Sequence, residues 1–368
     1  MFSAMADGPL KRRIDDIYRR STPRRLAGLC VLLATCGGED AAQQSAVGSE
    51  VDSEAAATVA GVDAEPVAAT PGVDAEAVAT TPGVDAEPVP AAEAGARGLD
   101  HIRFLSADSL EGRLIGSEGN RMARDYIVGV FRSLALSMYE GTYLEAFEFQ
   151  RDGETREASN VVGYVVGTDQ PDRFIVVTAH FDHLGIRDGE IYNGADDNAS
   201  GTAGLLMLAE YFSAVPARHS LIFAAMDGEE GGFRGARHFV SDPPVPMASI
   251  ALNVNLDMIS HNDSVLYVAG GYHTQSLRSV LDEVAAESAI VLRQGHDSPD
   301  LPPGDDWTRS SDHRPFHEAG IPFVYFGVED HPDYHQASDT YETINQQFFL
   351  DAVETIKQAI LRLDGQEW

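Results

Sequence analysis

Beyond residue 36 this chain of 368 residues has no cysteine; its two cysteines are Cys30 and Cys36. For everything downstream that excludes a disulfide framework, a thiolate metal site and a thiol nucleophile. Positive charge is scarce as well. Lys and Arg number 26 against 58 Asp and Glu, a formal net charge of −32. So acidic a surface repels phosphate backbones, which argues against a nucleic-acid partner, and it gains no electrostatic attraction to anionic lipid. The apolar run at 26–35, LAGLCVLLAT, is too short to span a bilayer as a mature helix, which takes about 20 residues. Against these absences, 43% of residues are hydrophobic, enough for a sizeable core, and the length suits one large domain or two smaller ones.

The N-terminal 36 residues read as an export signal. Arg24 and Arg25 precede the apolar run, which ends in Leu33-Ala34-Thr35 and is followed by Cys36. This end resembles the lipobox of bacterial lipoproteins. The resemblance implies a lipidated Cys36 and a chain anchored in the bacterial cell envelope, so that an N-terminal lipid would be its one link to a membrane. An ordinary secretory signal, giving a secreted or periplasmic protein, is the alternative. Residues 37–97 repeat VDSE or VDAE at 51, 62, 73 and 84, a period of eleven. Twelve Asp and Glu against one Arg give this stretch −11, and it has no aromatic residue. Such a composition buries too little apolar surface to offset its ordering entropy, so we expect a disordered, charge-extended tether. Pro66, Pro71, Pro82, Pro88 and Pro90 speak against reading the period as a supercoiled helix.

A folded domain is expected over 98–368. Short apolar runs predict strands at 160–167, 174–178, 220–226, 250–256, 265–269 and 322–326. Helical patterns lie between them at 120–134, 200–212, 277–287 and 347–363. Strands alternating with helices predict an α/β fold: one domain with a mixed, mostly parallel sheet sandwiched by helices. In such sheets chemistry gathers where strands end. FIVVTA is followed by His180-Phe181-Asp182 and IFAAMDG by Glu229-Glu230. IALNVNL is followed by Asp257, and PFVYF leads on to HPDYHQASDT with His335. GADDNASG at 194–201, carrying Asp197, opens a helix and offers N-cap side chains in Asn198 and Ser200. Histidines and carboxylates without cysteine suit a divalent ion such as zinc.

The ordered series HFD, GADDNASG, GEEGG, NLDMI and DYHQASDT resembles the M28 family of zinc metallopeptidases. LEGRLIGSEGN at 110–120 and SDHRPFHEAGIP at 311–322 extend the likeness over nearly all of 98–368. The resemblance implies the zinc exopeptidase fold and two zinc ions, with cobalt or manganese able to use the same ligands. It implies His180 and Asp257 on one ion, Glu230 and His335 on the other, and Asp197 bridging both. It makes Glu229 the general base and Asp182 the acid that orients His180. Residues i and i+2 of an extended segment point the same way, which would let Asp182 hydrogen-bond the far nitrogen of His180. Neighbours on a turning backbone diverge, so Glu230 can hold metal while Glu229 faces the reacting water. Tyr334, Asp312 and His313 are assigned to the substrate side or to support of the ligands. His183 matches no ligand position, and His331 reads as a loop residue.

The implied activity is an exopeptidase acting on peptides, an aminopeptidase first. A carboxypeptidase or a glutaminyl cyclase on the same scaffold is the alternative, and a catalytically inactive binding protein a more distant one. With the candidate ligands and Glu229 all present, the inactive reading has no missing residue to support it.

Overall fold

The structure, a computed structural model, describes residues 90–302 and 304–368; the expected signal at 1–36 with Cys36, and the tether up to residue 89, lie outside the described residues. Eight strands build the main sheet: β1 (Leu144–Arg151), β2 (Glu154–Val165), β3 (Gln170–His180), β6 (His219–Met226), β7 (Ile250–Leu256), β8 (Val265–Ala269), β9 (Val291–Gln294) and β10 (Phe323–Gly327). A separate small hairpin pairs β4 (Gly185–Arg187) with β5 (Glu190–Tyr192). The order across the main sheet is β1-β2-β6-β3-β7-β10-β8-β9. Its centre, β6-β3-β7-β10, is parallel, and β8 pairs β9 in parallel at one edge. The contacts β1-β2, β2-β6 and β10-β8 are antiparallel. Every residue of β6, β7 and β10 is buried, as strands covered on both faces must be.

Helices α1 (Ala91–Leu105), α2 (Glu118–Ser133), α3 (Gly201–Ala214), α5 (Ser276–Glu287) and α7 (Gln346–Asp364) form one packed group, linked through α3 and α7. Helices α4 (Arg234–Ser241) and α6 (His313–Glu318) form the other. Val176, Ile222 and Ala224 pack with Ala236 and Phe239 of α4 and Phe316 of α6. By the alternation of a strand, their neighbours Ile175, Val177, Leu221 and Phe223 face the opposite side. Polar side chains inside the sheet bond one another across strands. Thr178 donates to Asn255 Oδ1 at 2.7 Å, and Asn253 donates to Thr178 Oγ1 at 3.0 Å.

Several elements depart from the sequence reading: β9, the β4–β5 hairpin and helices α4 and α6 were not expected, and two further departures have a clear cause. Helix α1 starts at Ala91, so the last residues assigned to the tether, 91–97, are helical. Gly95 and Gly98 are the reason: a Cβ at Gly98 would stand 2.2 Å from Met207 Sδ, and one at Gly95 would stand 3.3 Å from Leu350. An Ala- and Gly-rich segment thus docks by close approach rather than by large side chains. The second is the edge strand β1, which alternates as LEAFEFQR with Phe147 and Phe149 inward. It joins β2 through Asp152-Gly153, both at positive φ (55° and 77°), the two-residue hairpin turn that this dipeptide favours.

Candidate metal centre

The four central parallel strands, β6, β3, β7 and β10, point their C-terminal ends to one rim, and the candidate ligands stand there. His180 is the last residue of β3. Its Nδ1 lies 3.2 Å from the backbone carbonyl of Asp182, so that nitrogen carries the proton and leaves the Nε2 lone pair directed at the site. Nε2 is 3.4 Å from Asp197 Oδ1 and 3.3 Å from Asp257 Oδ1. The expected bond from the Asp182 carboxylate to His180 is not formed, because their separation is 3.7 Å. That carboxylate instead accepts the backbone N–H of Glu229 at 3.0 Å. Asp182 therefore positions His180 through its main chain and Glu229 through its side chain.

Asp197 sits between two imidazoles. Its Oδ1 faces His180, and its Oδ2 lies 3.0 Å from His335 Nε2. A cis peptide bond joins it to Asn198. Asn198 caps α3 through Gly201 N at 2.9 Å; Ser200, the other expected cap, donates back to the Asp196 carbonyl at 2.7 Å instead. Two buried side chains outside the sequence assignment hold this segment. Asp339 accepts the N–H groups of Asp196 (2.9 Å) and Asp197 (3.1 Å). Arg113 donates to the carbonyls of Phe181, Asn193, Gly194 and Leu105. Arg113 lies in the motif at 110–120, which marked the likeness without giving the residue a role.

After β6, Gly228 takes a positive φ of 76° and Phe233, just before α4, one of 61°. The turn between them separates Glu229 from Glu230. Glu230 Oε2 is 3.5 Å from His335 Nε2, and its Oε1 is 2.7 Å from His183 Nδ1. His183, which matched no ligand position, is thus fully buried against a candidate ligand. His331 is not a simple loop residue either, since its Nε2 contacts Asp196 Oδ2 at 3.0 Å. Tyr334 stacks on His335 with ring centroids 4.0 Å apart. Asp312 is buried beside the ligands, whereas His313 turns away, reaching the Trp307 carbonyl at 2.8 Å and stacking on Phe323.

The electrostatics ask for cations. Burial raises the Glu229 carboxyl well above its usual range, and Asp257, Asp312 and Glu230 add to this against the pull of His180. Burial likewise lifts Asp312 to about 8. Glu230 goes the other way, to about 2: burial and Asp197 push it up, but His183 and His335 outweigh them. His335 is drawn up to about 10, Asp197 and Glu230 prevailing over burial. Several buried ligand-side atoms have no hydrogen-bond partner among the described residues: Asp257 Oδ1, Asp182 Oδ2 and both oxygens of Asp312. A buried polar atom left unpaired costs about 1–3 kcal/mol, more when charged, and divalent ions would relieve it. Two groups, His180/Glu229/Asp257 and His183/Asp197/Glu230, each place one ligand atom per residue within 4.8 Å of the others. The residues present therefore fit metal. His180, Asp197, Glu229, Glu230, Asp257 and His335 line a cavity of about 260 Å³ whose other walls include Met258, Trp307, Tyr325, Val328, Asp330 and Tyr334.

The chain is 28% identical over 218 residues to the Bacillus subtilis aminopeptidase YwaD, covering 53% of this chain and 43% of that protein. It is 31% identical over 230 residues to a probable glutamate carboxypeptidase of Zea mays, covering 57% and 31%. The matches thus span less than half the length of either relative. The structure of a zinc aminopeptidase from Bacillus subtilis superposes with a TM-score of 0.59 at 18% identity, covering 72% of this chain and 94% of that one, and so shares the fold. With the model of peptidase family M28 matching residues 160–360, the stretch that holds every ligand candidate of the rim, this chain belongs to peptidase family M28.

Proposed function

We propose that the chain is a two-zinc exopeptidase that removes the N-terminal residue of peptides. The observation that carries the reading is Asp197, whose two carboxylate oxygens face different imidazoles, His180 and His335. His180 and Asp257 would hold one ion and Glu230 and His335 the other, with Asp197 shared and His183 beside the second. When bound, such a pair polarises a carbonyl and makes water a nucleophile near neutral pH. Glu229, with its raised carboxyl, takes the proton from the attacking water and delivers it to the leaving amine. Asp182 keeps Glu229 in place through its backbone N–H. Cobalt or manganese would fit the same ligands.

The choice of the amino end rests on the cavity. Its lining holds Asp330 and Glu229 and, among the described residues, neither Lys nor Arg. An α-ammonium group finds a carboxylate partner there, while no Lys or Arg of the lining stands ready for an α-carboxylate. Met258, Trp307 and Val328 supply apolar wall for a side chain. The likeness to a probable carboxypeptidase keeps the opposite direction as the second reading. The test uses the full chain loaded with zinc, offered leucine p-nitroanilide and N-acetyl-leucine p-nitroanilide. Release of chromophore from the free amine alone is expected. Release from neither, with trimming of a peptide from its C-terminus, would replace this reading with the carboxypeptidase; cyclisation of an N-terminal glutamine would replace it with the cyclase. We place the enzyme outside the cytoplasm on a lipidated Cys36, and loss of radiolabelled fatty acid in Cys36→Ala is the expected check.

A further inference from the structure

Besides the rim, one more group of metal-ligating side chains comes together among the described residues. His261, His331 and Asp333 place one ligand atom each within 4.8 Å of one another. None of the three lines the cavity at the rim. We propose that they form a third, separate cation site for a borderline divalent ion of the zinc class.

The argument begins with His331. Its side chain is 9% exposed, its Nε2 meets the Asp196 carboxylate at 3.0 Å, and its Nδ1 is buried with no hydrogen-bond partner. A carboxylate on one ring nitrogen keeps the proton there and leaves the other lone pair free and more basic. That is how metal-binding imidazoles are held. Asp196 is itself fixed by Ser260, through N–H at 2.7 Å and Oγ at 2.8 Å. The ring of His261 approaches His331 with centroids 3.7 Å apart at 59°, and its Nδ1 is also buried and unpartnered. Asp333 uses Oδ1 to accept the Ser338 hydroxyl at 2.6 Å, while Oδ2 stays 3.7 Å from His261 Nε2, too far for a hydrogen bond. Three ligand atoms thus lie together without satisfying one another, with His331 held by Asp196 and Asp333 by Ser338. Two imidazoles and one carboxylate select zinc, cobalt, nickel or copper over calcium or magnesium, and water would complete the shell.

Position gives the site a consequence. His261 follows Asp257 by four residues, and His331 and Asp333 precede His335 by four and two. Asp196, which holds His331, directly precedes Asp197. An ion here would staple together the two loops that carry Asp257 and His335. A surface depression of about 740 Å³, lined by His261, His331 and Asn345 among others, gives it an approach of its own.

The experiment dialyses the full chain, His261→Asn and Asp333→Asn to equilibrium at buffered free Zn²⁺ and counts bound zinc by mass spectrometry. Circular dichroism confirms that each variant is folded. The parent is expected to hold one more zinc than either variant at a free concentration that saturates the parent, with binding at this site weakened at least about tenfold in each variant. Asp333 is 24% exposed in its side chain and serves as the second variant should His261→Asn fold poorly. Equal zinc content and equal affinities in all three proteins would overturn the proposal. A failure of the catalytic pair would lower the count equally in all three and leave the difference intact, so the two readings are tested apart.

Discussion

Replacing Glu229 by Gln separates the two roles that the geometry offers this residue. Glu229 shares a ligand-sized group with His180 and Asp257, so it stands close enough to bind metal. Burial also raises its carboxyl well above the usual range, which suits a base. Gln keeps the shape and one carbonyl oxygen but cannot carry the proton. The backbone N–H that bonds Asp182 at 3.0 Å is untouched, so the turn after β6 should hold. Losing a positioned base costs about 10²–10⁴ in rate, and at 1.36 kcal/mol per tenfold that is about 3–5 kcal/mol of barrier. Relief of acid repulsion with Asp257, Asp312 and Glu230 works the other way on stability, so the variant should melt no lower than the parent. The assay follows leucine p-nitroanilide at saturating zinc and counts zinc per chain in the same samples. The expected result is kcat down by 10²–10⁴ with zinc content unchanged. Activity within a few-fold of the parent, or activity lost only through lost zinc and restored by adding it, would refute the base assignment and make Glu229 a ligand.

Three further outcomes are expected. Asp339→Ala leaves the Asp196 and Asp197 N–H groups without their shared acceptor; zinc affinity should fall about 10–100-fold, read by competition with a chromophoric chelator. Phe239→Ala removes a fully buried ring that packs on Phe316 at 5.5 Å, and should cost about 3–5 kcal/mol in urea unfolding. His313 has its pKa pushed down to about 3 by burial, against an ordinary 6.5. The folded state then resists protonation that the unfolded chain accepts. Its contribution is complete above pH 6.5 and is lost as pH falls from there towards 3, about 3 kcal/mol by pH 4 at 1.36 kcal/mol per unit. His313→Gln should flatten that part of the stability–pH curve, measured with chelator present in both proteins; parallel curves would count against a buried neutral histidine.

Much of the fold could be read in the chain because the central strands are covered on both faces. β7 and β8 fall on the expected residues, and β3 ends on His180, two residues beyond the expected run. The edges were harder. β1 alternates with charged residues and β9 has four residues, so neither makes a continuous apolar run. Helix α1 was hidden in the tail of an Ala-rich repeat, since its packing depends on glycines meeting Met207 and Leu350.

The sequence by itself determined which strand ends bear acids and histidines, since a buried strand announces itself and the next polar residues must sit at its end. It also determined that Glu229 and Glu230 diverge, because adjacent residues on a glycine-rich turn cannot face one way. The tertiary structure alone decided what steadies those groups. Asp339 meets Asp197 across 142 residues, His331 meets Asp196 across 135, and Arg113 gathers carbonyls from the end of α1 and from two loops. No local pattern encodes such partners. A buried donor or acceptor must be satisfied by whatever the fold brings within about 3 Å, and chain distance places no limit on what that is.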